Sequence, residues 1–322
     1  MTDTRPLSLI TGGSGYIGAH TVDNFLRHGY CVRLTGRSSS CKQMLATHHH
    51  YRDVIETVIV PDITTPGAFD SAVQGVDGVI HLASPFFHNF KDVEKEMLLP
   101  AINGTTEILK SVANHAPKVK RVVMTSSIAA IADFSKGLWP GHVYEESQWS
   151  PVTLESAKQN PSSAYAGSQK LAEKAAWSFV ETEDVKFSLA TICPMMVYGP
   201  HHPGSVSLSH LPTSMTDIYK LMDGSLSEAP TTFLPVYVDV RDVAEAHRLA
   251  YETIEPGRFA VSGGNFTKGE VCKLLRNANL GLEDRVPWKG LDAEDDLESY
   301  TVDTSKAEEV LGVPCAGEEE KL

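Results

Sequence analysis

LSLITGGSGYIG, residues 7–18, places an apolar run directly before a glycine-rich turn, and AHTVDNFLRH at 19–28 continues as an amphipathic helix pattern. A strand, a glycine-dense turn and a helix in that order let a pyrophosphate approach the backbone. Gly12, Ser14 and Gly15 would line that approach, and Tyr16 and Ile17 would open the helix whose amides and dipole face the anion. Glycines also serve ordinary turns, so the motif alone is weak. The strand before it and the helix after it make it a dinucleotide-binding signature.

Outward from this unit, strand-like runs at 8–11, 31–35, 56–60, 78–82, 121–125 and 187–192 alternate with helical patterns at 19–28, 67–73, 93–114 and 164–180. Alternation of this kind predicts an α/β, Rossmann-type, doubly wound parallel sheet. A dinucleotide-binding domain is assigned to 1–193. After Pro194 the pattern loosens, with Pro200, Pro203, Gly204 and Pro212 marking a long loop region. A strand at 236–240, a helix at 242–251, a strand at 258–261 and a helix at 268–277 then follow. Residues 194–322 are read mainly as a small C-terminal substrate-capping lobe, with a returning strand and helix near 236–251.

The 322 residues can bury a large core, and 42% hydrophobic with 21% charged residues is ordinary for a globular protein. A net charge of −13 argues against a nucleic-acid surface, which relies on clustered Lys and Arg. No apolar stretch is long enough to span a bilayer, and residues 1–7 are too short and polar for a signal peptide. The five scattered cysteines predict reduced thiols in a cytoplasmic protein rather than a disulfide frame or a zinc site. His48, His49 and His50 are consecutive, so their side chains diverge; the tract reads as solvated and no metal is expected.

An NAD site ordinarily carries an acid near the end of the second strand, to accept from the ribose hydroxyls. LTGRS at 34–38 lacks the acid and offers Arg37, which suits a 2′-phosphate. The expected cofactor is therefore NADP. Asp62 and Ile63 follow the third strand and could cover the adenine edge; a plain turn aspartate is the competing reading. Ser127 lies just past the fifth strand, and Tyr165 opens a helical segment. Their hydroxyls would bracket a carbonyl oxygen, Tyr165 donating a proton and Ser127 orienting the oxygen.

On these residues the chain resembles an extended short-chain dehydrogenase/reductase of the dihydroflavonol-reductase-like branch, nearest the NADPH-dependent methylglyoxal and diketone reductases. TGGSGYIGAH at 11–20, VPDIT at 60–64, HLASPF at 81–86, VVMTSSIAA at 122–130 and VDVRDVAEAH at 238–247 carry the resemblance over nearly the whole chain. It implies further cofactor contacts at Ala83, Ser84, Pro194 and Val197, and a substrate pocket beneath Phe86, Phe87, Ile131, Phe134, Met195, Met196 and Tyr198. The family's Tyr-x-x-x-Lys motif is broken here, because Gln169 stands at the lysine position and Lys170 comes one place late. Positions four apart on a helix are offset by about 40°, but five apart by about 140°. Gln169 can hold the nicotinamide ribose without supplying charge. A unit charge ~6 Å away at an effective dielectric near 20 is worth about 2.8 kcal/mol, roughly a hundredfold in rate. The resemblance also implies a closing C-terminal helix, where this chain has the acidic stretch 314–322.

Residues 187–219 contain no Lys or Arg, which argues against a sugar-nucleotide substrate with its second pyrophosphate. An apolar or aromatic carbonyl compound fits better, such as a polyketide-like ketone or diketone of secondary metabolism. Asp239, Arg241 and Asp242 are expected to cap the following helix. The leading function is NADPH-dependent reduction of a ketone or aldehyde. A non-redox isomerase, dehydratase or cyclase on the same scaffold is the alternative, and an NADP-binding sensor a third reading.

Overall fold

The computed structural model describes residues 5–84, 91–203 and 211–313. After its first residue β1 (Leu7–Thr11) is wholly buried, as expected of a parallel strand covered by helices on both faces. α1 (Tyr16–Arg27), β2 (Cys31–Gly36), α2 (Ser38–Thr47), β3 (Ile55–Ile59) and β4 (Gly78–His81) follow in order. A π-helical turn, Glu94–Leu98, feeds α3 (Leu99–His115), whose Pro100 sits in the first turn, where no helical N–H bond is lost. Then come β5 (Arg121–Thr125), β6 (Val143–Tyr144), α4 (Leu154–Gln159), α5 (Pro161–Thr182) and β7 (Ser188–Pro194).

The remaining elements are β8 (Met196–Tyr198), α6 (Thr213–Tyr219), β9 (Val236–Asp239), α7 (Val240–Glu252), β10 (Gly257–Val261), β11 (Gly264–Asn265), α8 (Lys268–Asn277) and β12 (Thr301–Val302). The main sheet is parallel, in the order β10-β7-β5-β4-β1-β2-β3. Strand order reverses beside β1, and the crevice at that switch point is where open α/β sheets bind ligands. α1 packs on α7 and α3 on α5. Val22, Phe25, Val243 and Ala246 belong to one core cluster; Ile108, Leu109, Val112 and Ala176 belong to another. Each fully buried Phe or Leu contributes about 1.5–3 kcal/mol relative to exposure.

Several elements differ from the sequence reading. The sheet has a seventh strand: β10, read as part of the returning lobe, pairs with β7 at the sheet edge. Residues 67–73 form successive turns rather than a helix, although Phe69, Ala72 and Val73 are buried at helical spacing. Gly67 and Gly75 both adopt positive φ there and bend the chain away from a helix. α2 was not anticipated, because its serine-rich start is a poor helix former and it buries only Cys41 and Met44. α6 interrupts the region read as loop.

The smaller lobe is built on a three-stranded sheet, β11-β9-β8, with its own core of Leu221, Phe266, Val271, Cys272 and Val286. β12 pairs in parallel with β6, tying the C-terminal segment to the loop beyond β5. Among the described residues no helix is long and apolar enough to cross a membrane. Phe86 and Phe87 fall outside the described residues, as do 314–322.

Candidate active site

The glycine turn is shaped by close approach. Gly12 has φ +68°, and a Cβ there would stand 2.8 Å from the Ala83 amide nitrogen at the end of β4. A Cβ on Gly18 would meet the Gly12 carbonyl oxygen at 2.2 Å, so only glycine lets α1 start this close to the turn. The N-cap of α1 is Gly15, with no side-chain cap and no acid in the first turn. Its first amides therefore point outward without internal acceptors, as an anion site requires. Tyr16 and Ile17 lie on that first turn; the Tyr16 hydroxyl donates to the Gly199 carbonyl at 2.9 Å.

Arg37 directly follows β2, is exposed, and is the N-cap of α2, which likewise has no side-chain cap and no acid in its first turn. A guanidinium beside an open helix end suits a phosphate. Asp62 accepts from the Thr64 amide at 2.8 Å and hydroxyl at 2.7 Å, and these bonds lower its pKa. The turn reading of Asp62 thus has its structural basis, while Ile63 packs toward Gly104 of α3. The amides of Leu82 and Ala83 both donate to Thr11 Oγ1, which joins the ends of β1 and β4. Ser84 is exposed just beyond. Pro194 closes β7 and Val197 is buried in β8. Gly12, Arg37, Ala83 and Ser84 thus follow the carboxyl ends of β1, β2 and β4, where open α/β sheets take their ligands.

Ser127, 8% exposed, is the N-cap of a single 3-10 turn, its Oγ accepting from the Ala129 amide at 3.2 Å. Its hydroxyl also lies close enough to that of Tyr165 to lower the phenol's pKa. The Tyr165 ring is 38% exposed, yet its hydroxyl end lies deep enough that burial pushes its pKa up, with Ser127 pulling it partly back. The two hydroxyls predicted to share a carbonyl oxygen thus lie near one another. Gln169, partly buried, lies one turn along α5, which runs as an unbroken α-helix from Pro161 to Thr182. Lys170 faces elsewhere: its Nζ donates to the Val152 carbonyl at 2.8 Å. With no bulge in the helix, Lys170 stays on a different face from Tyr165.

The side of α5 turned to the sheet carries a network that sequence reasoning missed. Glu173 is fully buried and accepts from Ser126 Oγ at 2.6 Å, Thr191 Oγ1 at 2.7 Å and Arg258 Nε at 2.8 Å. Arg258 also donates to the Gln148 carbonyl and stacks over the Trp149 ring. This buried pair clamps α5 to β5, β7 and β10, and so fixes Tyr165 relative to Ser127. A helical Glu and a strand Arg look solvated in sequence, and no periodicity signals their pairing.

The substrate side divides. A cavity of about 710 Å³ is lined by Tyr198, Met215, Ile218, Tyr237 and Phe266. Tyr198 presents its ring there while its hydroxyl donates to Asp217 at 3.3 Å. A second cavity of about 520 Å³ includes Met196, Leu211, Phe233, Lys220 and Lys268. Those two lysines lie outside the cation-free stretch 187–219, and Lys268 is paired with Asp217 at 2.8 Å. Ile131 is core, 2% exposed, and Met195 is also buried; Phe134 is 38% exposed. Asp239 caps α7 as expected, accepting from the Arg241 amide at 2.8 Å and pairing with its guanidinium. In the histidine tract, His49 and His50 are exposed, but His48 turns inward and is buried.

With the geometry in place, similarity to known proteins is informative. Residues 8–262 match the model of the NAD dependent epimerase/dehydratase family. The chain is 35% identical over 314 residues to an NADPH-dependent methylglyoxal reductase of Saccharomyces cerevisiae, covering 94% of this chain and 92% of that one. It is 38% identical over 318 residues to a ketoreductase of Aspergillus niger, covering 95% and 92%. The crystal structure of yeast methylglyoxal/isovaleraldehyde reductase complexed with NADPH superposes with a TM-score of 0.88 at 34% identity, covering 95% and 93%. Nothing among these relatives supports the non-redox or sensor readings.

Proposed function

The chain belongs to the NAD dependent epimerase/dehydratase family, and on that premise we propose that it reduces a small or medium apolar ketone or aldehyde to an alcohol with NADPH. The observation that carries the reading is the nearness of the Ser127 and Tyr165 hydroxyls, with Ser127 just beyond the carboxyl end of β5. The NADPH named for the yeast relatives supports Arg37 as the 2′-phosphate partner, with the open ends of α1 and α2 receiving the phosphates. When bound, NADPH supplies the hydride that reaches the carbonyl carbon. Tyr165 gives its proton to the carbonyl oxygen as charge builds there, and Ser127 hydrogen-bonds the same oxygen. Gln169 holds the ribose side by hydrogen bonding and leaves the phenol without a neighbouring ammonium, which makes this a slow reductase.

The apolar substrate class is supported by the aromatic and methionine lining of the larger cavity. The free, largely buried thiols Cys41, Cys193 and Cys272 support a cytoplasmic setting. Incubation with NADPH and a panel of 1,2-diketones and aryl ketones tests the reading. Loss of reduced-nicotinamide absorbance in step with alcohol formation is expected. Conversion of a ketone without that loss contradicts it.

A further inference from the structure

Asp23 on α1, His48 just past the end of α2 and His202 beyond β8 come from three separate elements, yet their ligand atoms all lie within 4.8 Å of one another. His48 is 3% exposed, and its Nε2 is buried without a hydrogen-bond partner. The tautomers are set by the backbone. His48 Nδ1 lies 3.1 Å from the Met44 carbonyl and His202 Nδ1 lies 2.9 Å from the Pro203 carbonyl. A carbonyl can only accept, so each Nδ1 carries the proton, and the buried Nε2 of His48 keeps a lone pair with no partner. The two rings stack with centroids 5.1 Å apart.

A buried, unpartnered imidazole nitrogen therefore stands beside a second imidazole and a carboxylate, an arrangement that a cation relieves. Asp23 is also ion-paired with Arg27, whose side chain is 64% exposed and can swing into solvent. We propose that Asp23, His48 and His202 form a site for a divalent transition metal of the zinc class. Two imidazoles and one carboxylate are its usual donors, with water completing a tetrahedron. Oxygen-seeking Mg²⁺ and Ca²⁺ do not match this donor set. Ligand atoms around zinc stand about 3.3 Å apart at bond lengths near 2.0–2.1 Å, and the stacked rings must turn out of parallel to aim both nitrogens at one ion; the partly exposed His202 has the room to do so.

The backbone carbonyls bound to Nδ1 are the outer contacts that orient metal-binding histidines. His20 extends the brace, its Nε2 lying 2.9 Å from the Pro200 carbonyl and its ring edge-on to His202. The metal would pin the segment 199–202, which leads into the smaller lobe, onto α1 and α2 of the nucleotide-binding unit. The role is structural and does not depend on the reductase reading.

Chelator-stripped full-length protein titrated with Co²⁺ provides the test, read by the visible absorption of tetrahedral cobalt, with Zn²⁺ displacing it. One equivalent is expected to bind. Asp23→Asn and His202→Ala, both at partly exposed positions, should each weaken binding at least tenfold. The double variant His49→Ala/His50→Ala should bind as the wild type does. Zn²⁺ at hundredfold excess over its Kd should raise Tm by about 5 °C in the wild type and not in His202→Ala. No saturable cobalt spectrum, unchanged affinity in His202→Ala, or loss of binding in the His49/His50 double variant would each overturn the proposal.

Discussion

The two ends of the chain treat their helix N-termini in opposite ways. α1 and α2 start at Gly15 and Arg37, with no side-chain caps and no acids in their first turns. α7 and α8 start at Asp239 and Thr267, which close their own ends; Thr267 and Glu270 form a reciprocal capping box at 3.1 and 2.7 Å. An open helix end leaves hydrogen-bonding capacity unused, and it persists where an anion completes it. The same division runs along α5. Its sheet-facing side is saturated by Glu173, Arg258, Ser126 and Thr191, while Tyr165 and Gln169 stand at exposed and half-buried positions of the same helix. Polar groups that satisfy one another hold the fold, and the helix ends left open mark the cofactor side.

The largest expected effect breaks the saturated side. Glu173→Gln leaves Arg258 buried opposite a neutral amide, and thermal unfolding should show a loss of about 3–5 kcal/mol. A change under ~1 kcal/mol would mean that the clamp is not what holds α5. Gln169→Lys sharpens the open side. Restoring a cation near Tyr165 should raise the reduction rate by up to about a hundredfold, worth about 2.7 kcal/mol. Equal or lower turnover would show that the site is tuned around glutamine.

Arg37→Glu tests the open end of α2. NADPH affinity should fall by roughly ten- to a hundredfold, about 1.4–2.7 kcal/mol, with NADH nearly unaffected. Equal losses for the two coenzymes would remove Arg37 from the 2′-phosphate. Thr267→Ala is the smallest, about 1 kcal/mol of stability, with NADPH affinity unchanged. A shift in that affinity would erase the contrast between the two ends.

The open features were the ones legible in sequence. LSLITGGSGYIG announced β1, the turn and the start of α1, because glycine spacing records where a backbone must approach a ligand or another chain segment. Ser127 and Tyr165 are read as the chemical pair for a related reason: the one follows β5 and the other lies in the first turns of α5. The range 268–277 coincides with α8, whose capping box and amphipathic period agree. The saturated features were not legible. Glu173 and Arg258 are 85 positions apart, and nothing local in either segment betrays the other. His48 looked like one member of a solvated tract, because its burial is decided by α1 and by the segment after β8. The place of β10 in the main sheet was not legible for the same reason: strand pairing across the chain leaves no mark in a five-residue run.

The reductase account rests on the Tyr165 phenol delivering the proton beside Ser127. Single-turnover reduction of a diketone by Tyr165→Phe, with NADPH affinity measured on the same preparation, tests it most directly. The rate should fall by at least two orders of magnitude while NADPH binds as tightly as to the wild type. Reduction at the original rate by that variant would contradict the account.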